Sequence, residues 1–263
     1  MTSAAFWRDP ALPFAESRRA VQNRACYRPH THTTLSIGAV DAGRSVFTSQ
    51  GHSVPLHPGT LVVVPAGCTH ACNPSPGMSW SYKMLHLDAA WAEGVLNAAG
   101  AASWPSHALV VKDAQAYQAF TALNQSIFSS ACAQSKEAAI RDFVLQGSWR
   151  AGEVVPLAPA AADSPVAKTL ALLHAQPEDA VPLPLLAEKA GTSPRALVRS
   201  FRAVTGMTPH AYQLDLRVNA ARERLRTGEA LASVAHELGF YDQSHFHHVF
   251  KQHVAATPGE YRR

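Results

Sequence analysis

The sequence predicts a multi-domain α and β chain. An N-terminal β-barrel or sandwich with flanking helices precedes an all-α domain, in which two helix-turn-helix motifs are joined by a long helix. Three observations predict it. Residues 30–111 break into short apolar or alternating runs separated by Gly, Pro, Asn and Ser, the pattern of strands and turns. Everything from Ser164 onward follows a helical period. One helical device also occurs twice, over Leu185–Phe201 and again over Val234–Phe250. Each copy reads as a short apolar helix, a glycine turn and a second helix with a polar outer face.

The first strands along the chain are Leu35–Val40, Ser45–Ser49, Leu61–Val64 and Trp80–Leu87. Pro58-Gly59 marks a turn, because proline fixes φ and glycine accepts a positive one. Trp80, Tyr82, Met84 and His86 alternate on one strand face, where they either line a pocket or pack under helices. Residues 113–150 change to helical spacing, with Phe120, Leu123 and Ile127 on one face and Ile140, Phe143 and Val144 on another. Val154–Asp163, rich in Pro and Ala, reads as a linker. The expected divisions are a domain over 1–153, a linker over 154–164 and a second domain over 165–263.

Helix starts in the second domain are marked by Ser164-Pro165, Ser193-Pro194, Thr208-Pro209 and Thr257-Pro258. The hydroxyl accepts from an otherwise unpaired N–H, and proline has no N–H to leave unpaired. Gly191, Gly206, Gly228 and Gly239 fall where the preceding helices end. Pro209–Arg226 reads as one helix with Tyr212, Leu216, Ala220 and Leu225 toward the core. A stiff helix of that length holds the two motifs about 34 Å apart, one turn of DNA.

Composition narrows the function classes. The charge of +4 suits a nucleic-acid partner without establishing one. No run of about 18 apolar residues exists, so no membrane partner is expected. Met1–Pro10 lacks a basic start followed by an apolar run, so the expectation is a cytoplasmic protein without a signal peptide. The cysteines Cys26, Cys68, Cys72 and Cys132 form no Cys-x-x-Cys pair and are expected to be reduced thiols.

In the first helical copy Leu197, Phe201 and Val204 share one face, with Arg195, Arg199 and Arg202 opposite. In the second, Phe246, Val249 and Phe250 face inward, leaving His245, His247, His248 and Lys251 outside. Over about 165–263 the chain resembles the DNA-binding domain of the AraC/XylS family of bacterial transcription regulators. The matching residues are Ser193, Leu197, Arg199 and Phe201, then Gly206, Thr208, Pro209 and Tyr212, then Arg217 and Ala221. They continue with Gly239, Phe240, Asp242, Ser244, Phe246, Phe250 and Lys251, and end in Thr257, Pro258, Tyr261 and Arg262.

The resemblance implies a double-stranded DNA partner and two helices in successive major grooves. Its base-edge candidates are Arg195, Val198 and Arg199 in the first copy and Gln243, His245, His247 and His248 in the second. Arginine pairs bidentately with guanine and glutamine with adenine. Arg202 and Lys251 are expected at phosphates, which position without specifying sequence. Two residues depart from the family pattern: His248 stands where arginine is usual, and Ala255 where glycine is usual. The first motif is therefore expected to supply more specificity than the second.

In the N-terminal half, His30-Thr31-His32 precedes Gly59, Pro65, Gly67, His70 and Asn73. This spacing resembles the two motifs of a cupin barrel, with the usual downstream glutamate absent and Tyr27–Gly38 as the opening strand. The fold class expected is thus a cupin-like barrel followed by the double helix-turn-helix domain. By resemblance the barrel is an effector-sensing domain. His30, His32 and His70, with Trp80 and Tyr82, are its ligand-binding candidates. Three imidazoles also suit zinc or another divalent transition metal, with Cys72 or a water completing the set. A metal and an organic ligand both remain open at this point. By the same resemblance the helices at 113–150 pack on the barrel, where they either carry dimer contacts or only cover it, and RNA polymerase is the further partner of an activator.

The leading expectation is a sequence-specific DNA-binding regulator, not an enzyme, controlled by a small ligand or metal in the barrel. The alternatives are a metal-dependent cupin enzyme with a helical DNA-binding tail, and an architectural DNA binder indifferent to sequence.

Overall fold

The computed structural model describes residues 3–155 and 161–262. Pro156–Ala160 of the expected linker lie outside the described residues.

Strands begin earlier than residue 30. β1 (Ser3–Arg8) and β2 (Ala15–Asn23) pair antiparallel and precede β3 (Leu35–Gly43), β4 (Ser45–Ser49), β5 (His52–Leu56), β6 (Leu61–Val64), β7 (His70–Pro74) and β8 (Trp80–Leu87). Helix α1 (Ala89–Ala98) and β9 (Leu109–Val111) follow, then α2 (Ala114–Ile127), α3 (Ala133–Gln146) and β10 (Glu153–Val154). Among the described residues the strands form two sheets, ordered β1-β2-β8-β3-β6-β9-β10 and β5-β4-β7. The result is an open, barrel-like pair of sheets instead of a closed ring. The expected opening strand over Tyr27–Gly38 is corrected by this arrangement. Only Leu35 onward is strand, and residues 24–34 are irregular apart from a bridge between His30 and His70.

The sheet's outer face carries one core. Ile37, Leu61, Leu85 and Val111 are fully buried there under Phe120 and Ile127 of α2 and Ile140 and Val144 of α3. The helical faces read from spacing at 113–150 are thus the faces that cover the sheet. On the inner face a second core joins Phe47, Val62, Trp80 and Tyr82. The register sets three strands side by side on this inner face. Glu16 of β2 and Ser36 of β3 both stand opposite His86 of β8.

The rest is helical: α4 (Pro165–Ala175), α5 (Leu183–Lys189), α6 (Pro194–Thr205), α7 (Pro209–Arg226), α8 (Leu231–Glu237), α9 (Gln243–Val254) and α10 (Pro258–Arg262). Ser164, Ser193 and Thr208 cap α4, α6 and α7 by accepting from the amides of Ala167, Ala196 and Ala211. Gly206 ends α6 in the left-handed region at φ 75°. Each helix-turn-helix unit has its own core: Leu186, Ala187, Leu197 and Phe201 in the first, Val234, Ala235, Phe246 and Phe250 in the second. Phe6 of β1 packs into the second of these. No described helix is long and apolar enough to cross a membrane.

Candidate functional site

The second helices of the two helix-turn-helix units, α6 and α9, differ in what they leave free. On α6, Leu197 and Phe201 are buried, which turns Arg195, Arg199 and Arg202 outward with Val198 half-buried among them. On α9, Phe246, Val249 and Phe250 turn inward, and Gln243, His245, His248 and Lys251 are exposed. Asp242 caps that helix by accepting from His245 N at 2.6 Å. The His245 ring folds back, so that its Nδ1 accepts from Tyr241 N at 3.3 Å. His247 is half-buried with its ring edge against Phe246, and His248 contacts Gln252. The second surface therefore presents Gln243, His248 and Lys251 most openly. Tyr241, 92% exposed beside it, was not singled out by the sequence reading.

A cavity lies where the barrel meets α7, α9 and α10. Its walls include His30, His32, His70, Trp80, Tyr82 and His86 from the sheets, with Asp215, Asn219 and Arg222 from α7. The space open to a water-sized molecule is about 70 Å³, enough for a few waters or a small ligand. Of the two roles open to Trp80, Tyr82, Met84 and His86, the structure places all four in the lining. Trp80 and Tyr82 stack at 4.3 Å between ring centroids, and the Tyr82 hydroxyl meets Tyr27 and Asn23.

His30, His32 and His70 come together, each offering one ring nitrogen within 4.8 Å of the others. Cys72 also lines the cavity but does not join this group. Burial pushes its thiol up to about 12, far from the thiolate a metal prefers. His86 approaches instead, with its ring 4.8 Å from that of His32 and its Nδ1 2.8 Å from Ser36 Oγ.

Hydrogen bonds fix the tautomers. His30 Nδ1 donates to Arg28 O at 2.8 Å, and His70 Nδ1 donates to Cys68 O at 3.0 Å. In the neutral ring each Nε2 is then a free lone pair. Burial holds His30 and His32 well below the ordinary histidine range and His70 at about 4, so all three are neutral at pH 7. A backbone-anchored neutral imidazole is the form that ligates a metal. The donor set therefore fits a divalent transition metal, with His32 differing from its neighbours. Its Nδ1 accepts from Arg222 Nη1 at 2.8 Å, across the junction between barrel and helices.

Two buried carboxylates stand at that junction. Burial opposes the charge of Glu16, but Arg222 and Arg8 beside it win and hold its carboxyl at about 2. It accepts from Arg8 Nε at 2.8 Å and from Tyr261 Oη at 3.0 Å. Among the described residues no cation forms an ion pair with Asp215. Burial pushes it up to about 7, against bonds from Thr31 N at 2.9 Å and Thr31 Oγ1 at 2.6 Å. The sequence reading missed Glu16, Thr31, Asp215, Asn219 and Arg222. One signal was available: positions 215, 219 and 222 are an i, i+4, i+7 polar stripe on a helix whose other faces are already accounted for.

Comparison with known proteins places both halves. A family model for an AraC-like ligand binding domain matches residues 17–145, and one for a helix-turn-helix domain matches residues 186–263. The transcriptional regulator YbfI of Bacillus subtilis, itself uncharacterized, is 26% identical over 221 residues, 82% of this chain and 80% of that one. The transcriptional activator RhaR of Klebsiella pneumoniae is 36% identical over 97 residues, 36% of this chain and 34% of that one. For several curated relatives the chain spans only about a third of their length. The fold is that of ToxT from Vibrio cholerae solved with an unsaturated fatty acid bound. The TM-score is 0.56 at 12% identity, over 99% of this chain and 94% of that one. With a ligand-binding domain of that kind joined to a helix-turn-helix domain, and one relative matched across both, the chain belongs to the AraC family.

Proposed function

We propose that the chain is a cytoplasmic, sequence-specific DNA-binding transcriptional regulator whose hold on DNA is set by a small ligand or metal ion in the barrel cavity. The observation that carries this reading is the position of α7. The helix that spaces the two DNA-facing surfaces also forms a wall of the cavity. Whatever fills the cavity touches the element that fixes the distance between the reading helices. The effect on DNA is then the difference in affinity of the occupant for the two arrangements.

Arg195, Val198, Arg199 and Gln243 are the base-edge contacts in this reading, with His245, His247 and His248 beside Gln243, while Arg202 and Lys251 meet phosphates. His30, His32, His70, Trp80 and Tyr82 contact the effector, and zinc is the metal to test first. A homodimer through α2 and α3 doubles the DNA contacts, and RNA polymerase is the partner if the protein activates. The relative matched over both halves is named a transcriptional regulator, which favours this reading over a metal-dependent cupin enzyme.

The test is selection of a binding site from random duplexes, followed by footprinting with the full chain. Two protected segments about one helical turn apart are expected. Uniform protection without discrete segments overturns the reading in favour of an architectural binder.

A further inference from the structure

The tripeptide His30-Thr31-His32 faces two ways. His30 and His32 turn into the cavity. Thr31 between them is held by α7. Its amide and hydroxyl donate to Asp215, and its carbonyl accepts from Asn219 Nδ2 at 3.1 Å. His32 is held by the same helix through Arg222. A single short segment therefore carries two of the three convergent imidazoles and is tied to three residues of the helix between the two units, Asp215, Asn219 and Arg222.

The Arg222 contact constrains what His32 can do. Guanidinium is always protonated and only donates. His32 Nδ1 must then be the acceptor, and in the neutral ring the proton sits on Nε2. His32 in this state has no lone pair left for a metal. To ligate through Nε2 it must shift its proton to Nδ1, which sets two N–H donors against each other. To ligate through Nδ1 it must give up Arg222 directly. Either route separates His32 from Arg222. His30 and His70 carry no such constraint, because their Nδ1 protons already lie on backbone carbonyls.

We propose that Arg222 and a divalent transition metal are mutually exclusive partners of His32, so that filling the three-histidine site breaks the His32 tie between the barrel and α7. The inference rests on the cavity being the effector site and adds which residue reports its occupancy. Arg222 has partners to retreat to. Glu16 Oε1 lies 3.7 Å from its Nη2, and its Nε donates to Tyr261 Oη at 3.3 Å. The released guanidinium stays paired, and a dication beside it adds a repulsion in the same direction. Arg222 is thus a positioning residue for the effector, acting against ligation while it reads it.

The experiment uses the full chain, stripped with a chelator and titrated with zinc against a chromophoric competitor. Wild type is expected to take one zinc per chain and His70→Ala to lose it. If His70→Ala still binds one equivalent, the ion sits elsewhere and the inference is overturned. Arg222→Met, which removes the competing donor, is expected to bind zinc about tenfold more tightly, the worth of one charge-assisted hydrogen bond. Equal or weaker binding in Arg222→Met overturns it. Hydrogen–deuterium exchange of the wild type gives a reading that depends on no variant. Zinc is expected to speed exchange of the Thr31 amide, and unchanged protection overturns the inference. The footprint without zinc tests the regulator reading separately, since none of the zinc outcomes depends on it.

Discussion

The two helix-turn-helix units are built alike and held differently. The unit of α5 and α6 carries an open arginine face, and its hydrogen-bonded link to the barrel passes through α7. The unit of α8, α9 and α10 is fastened to the barrel directly. Arg18 donates to Val254 O at 2.8 Å, Arg28 N donates to Gln252 O at 3.3 Å, and the Arg8 guanidinium lies 4.0 Å above the Tyr261 ring. In the proposed reading the difference says where cavity occupancy would act: α7 packs into both units, and the second is held by the barrel as well.

The largest test of this asymmetry is in the cores. Phe201→Ala and Phe246→Ala each empty a fully buried site and are expected to cost about 3–5 kcal/mol. All five tryptophans lie before residue 154, so tryptophan fluorescence reads the barrel while far-ultraviolet dichroism is dominated by the helices. In urea, Phe201→Ala should lose helical signal ahead of fluorescence, whereas Phe246→Ala should shift both. The same separation in both variants would erase the distinction.

A second test separates the ties themselves by pH. Asp215 titrates at about 7 in the fold against an ordinary 3.8, so the folded state binds its proton more tightly. That contribution is complete below about pH 4 and is lost as pH rises through 7. Relative to Asp215→Asn, the wild type should lose Tm over that window. Glu16 runs the other way: its contribution is present above its ordinary 4.5 and is lost as pH falls toward 2. A pH-independent difference between wild type and Asp215→Asn would remove Asp215 from the docking account.

Smaller effects are expected on DNA. Arg199→Ala should cost about 1–3 kcal/mol at a selected site and less on random DNA, by titration of labelled duplexes. Gln243→Ala should cost less than Arg199→Ala, and the reverse order would make the second surface the principal reader. Smallest is Ala255→Gly. Ala255 ends α9 at φ 52°, in the left-handed region, so glycine there should stabilise by about 0.5–1 kcal/mol in chemical denaturation. No gain would mean that the turn carries no strain.

The helical half was legible from sequence because its signals are local. Caps such as Ser193-Pro194, breakers such as Gly206 and the three-to-four spacing of Leu197 and Phe201 lie within a few residues of one another. Much of the sheet was legible for the same reason, down to the bounds of Ser45–Ser49 and Leu61–Val64. β2 was not, because Ala15–Asn23 reads as polar when its partners are unknown. Glu16 and Arg18 are buried only because Arg222, Tyr261 and Val254 reach them from more than two hundred residues away. The histidine cluster was half legible. The His30, His32 and His70 convergence followed from motif spacing, but the part played by Cys72 depended on which wall it occupies. Arg222 carried no motif at all, and its importance comes from docking alone.

The meeting of β1 with α10 has a topological meaning. Phe6 fills out the core of the second unit and Arg8 donates to the carbonyl of Tyr261, so β1 and α10 close on one another. Contacts outside the linker therefore also hold the two halves together. Cleaving the segment between Val155 and α4 is expected to leave the two fragments associated on gel filtration. An exchanged barrel would have to bring a first strand that fills the place of Phe6 in that core.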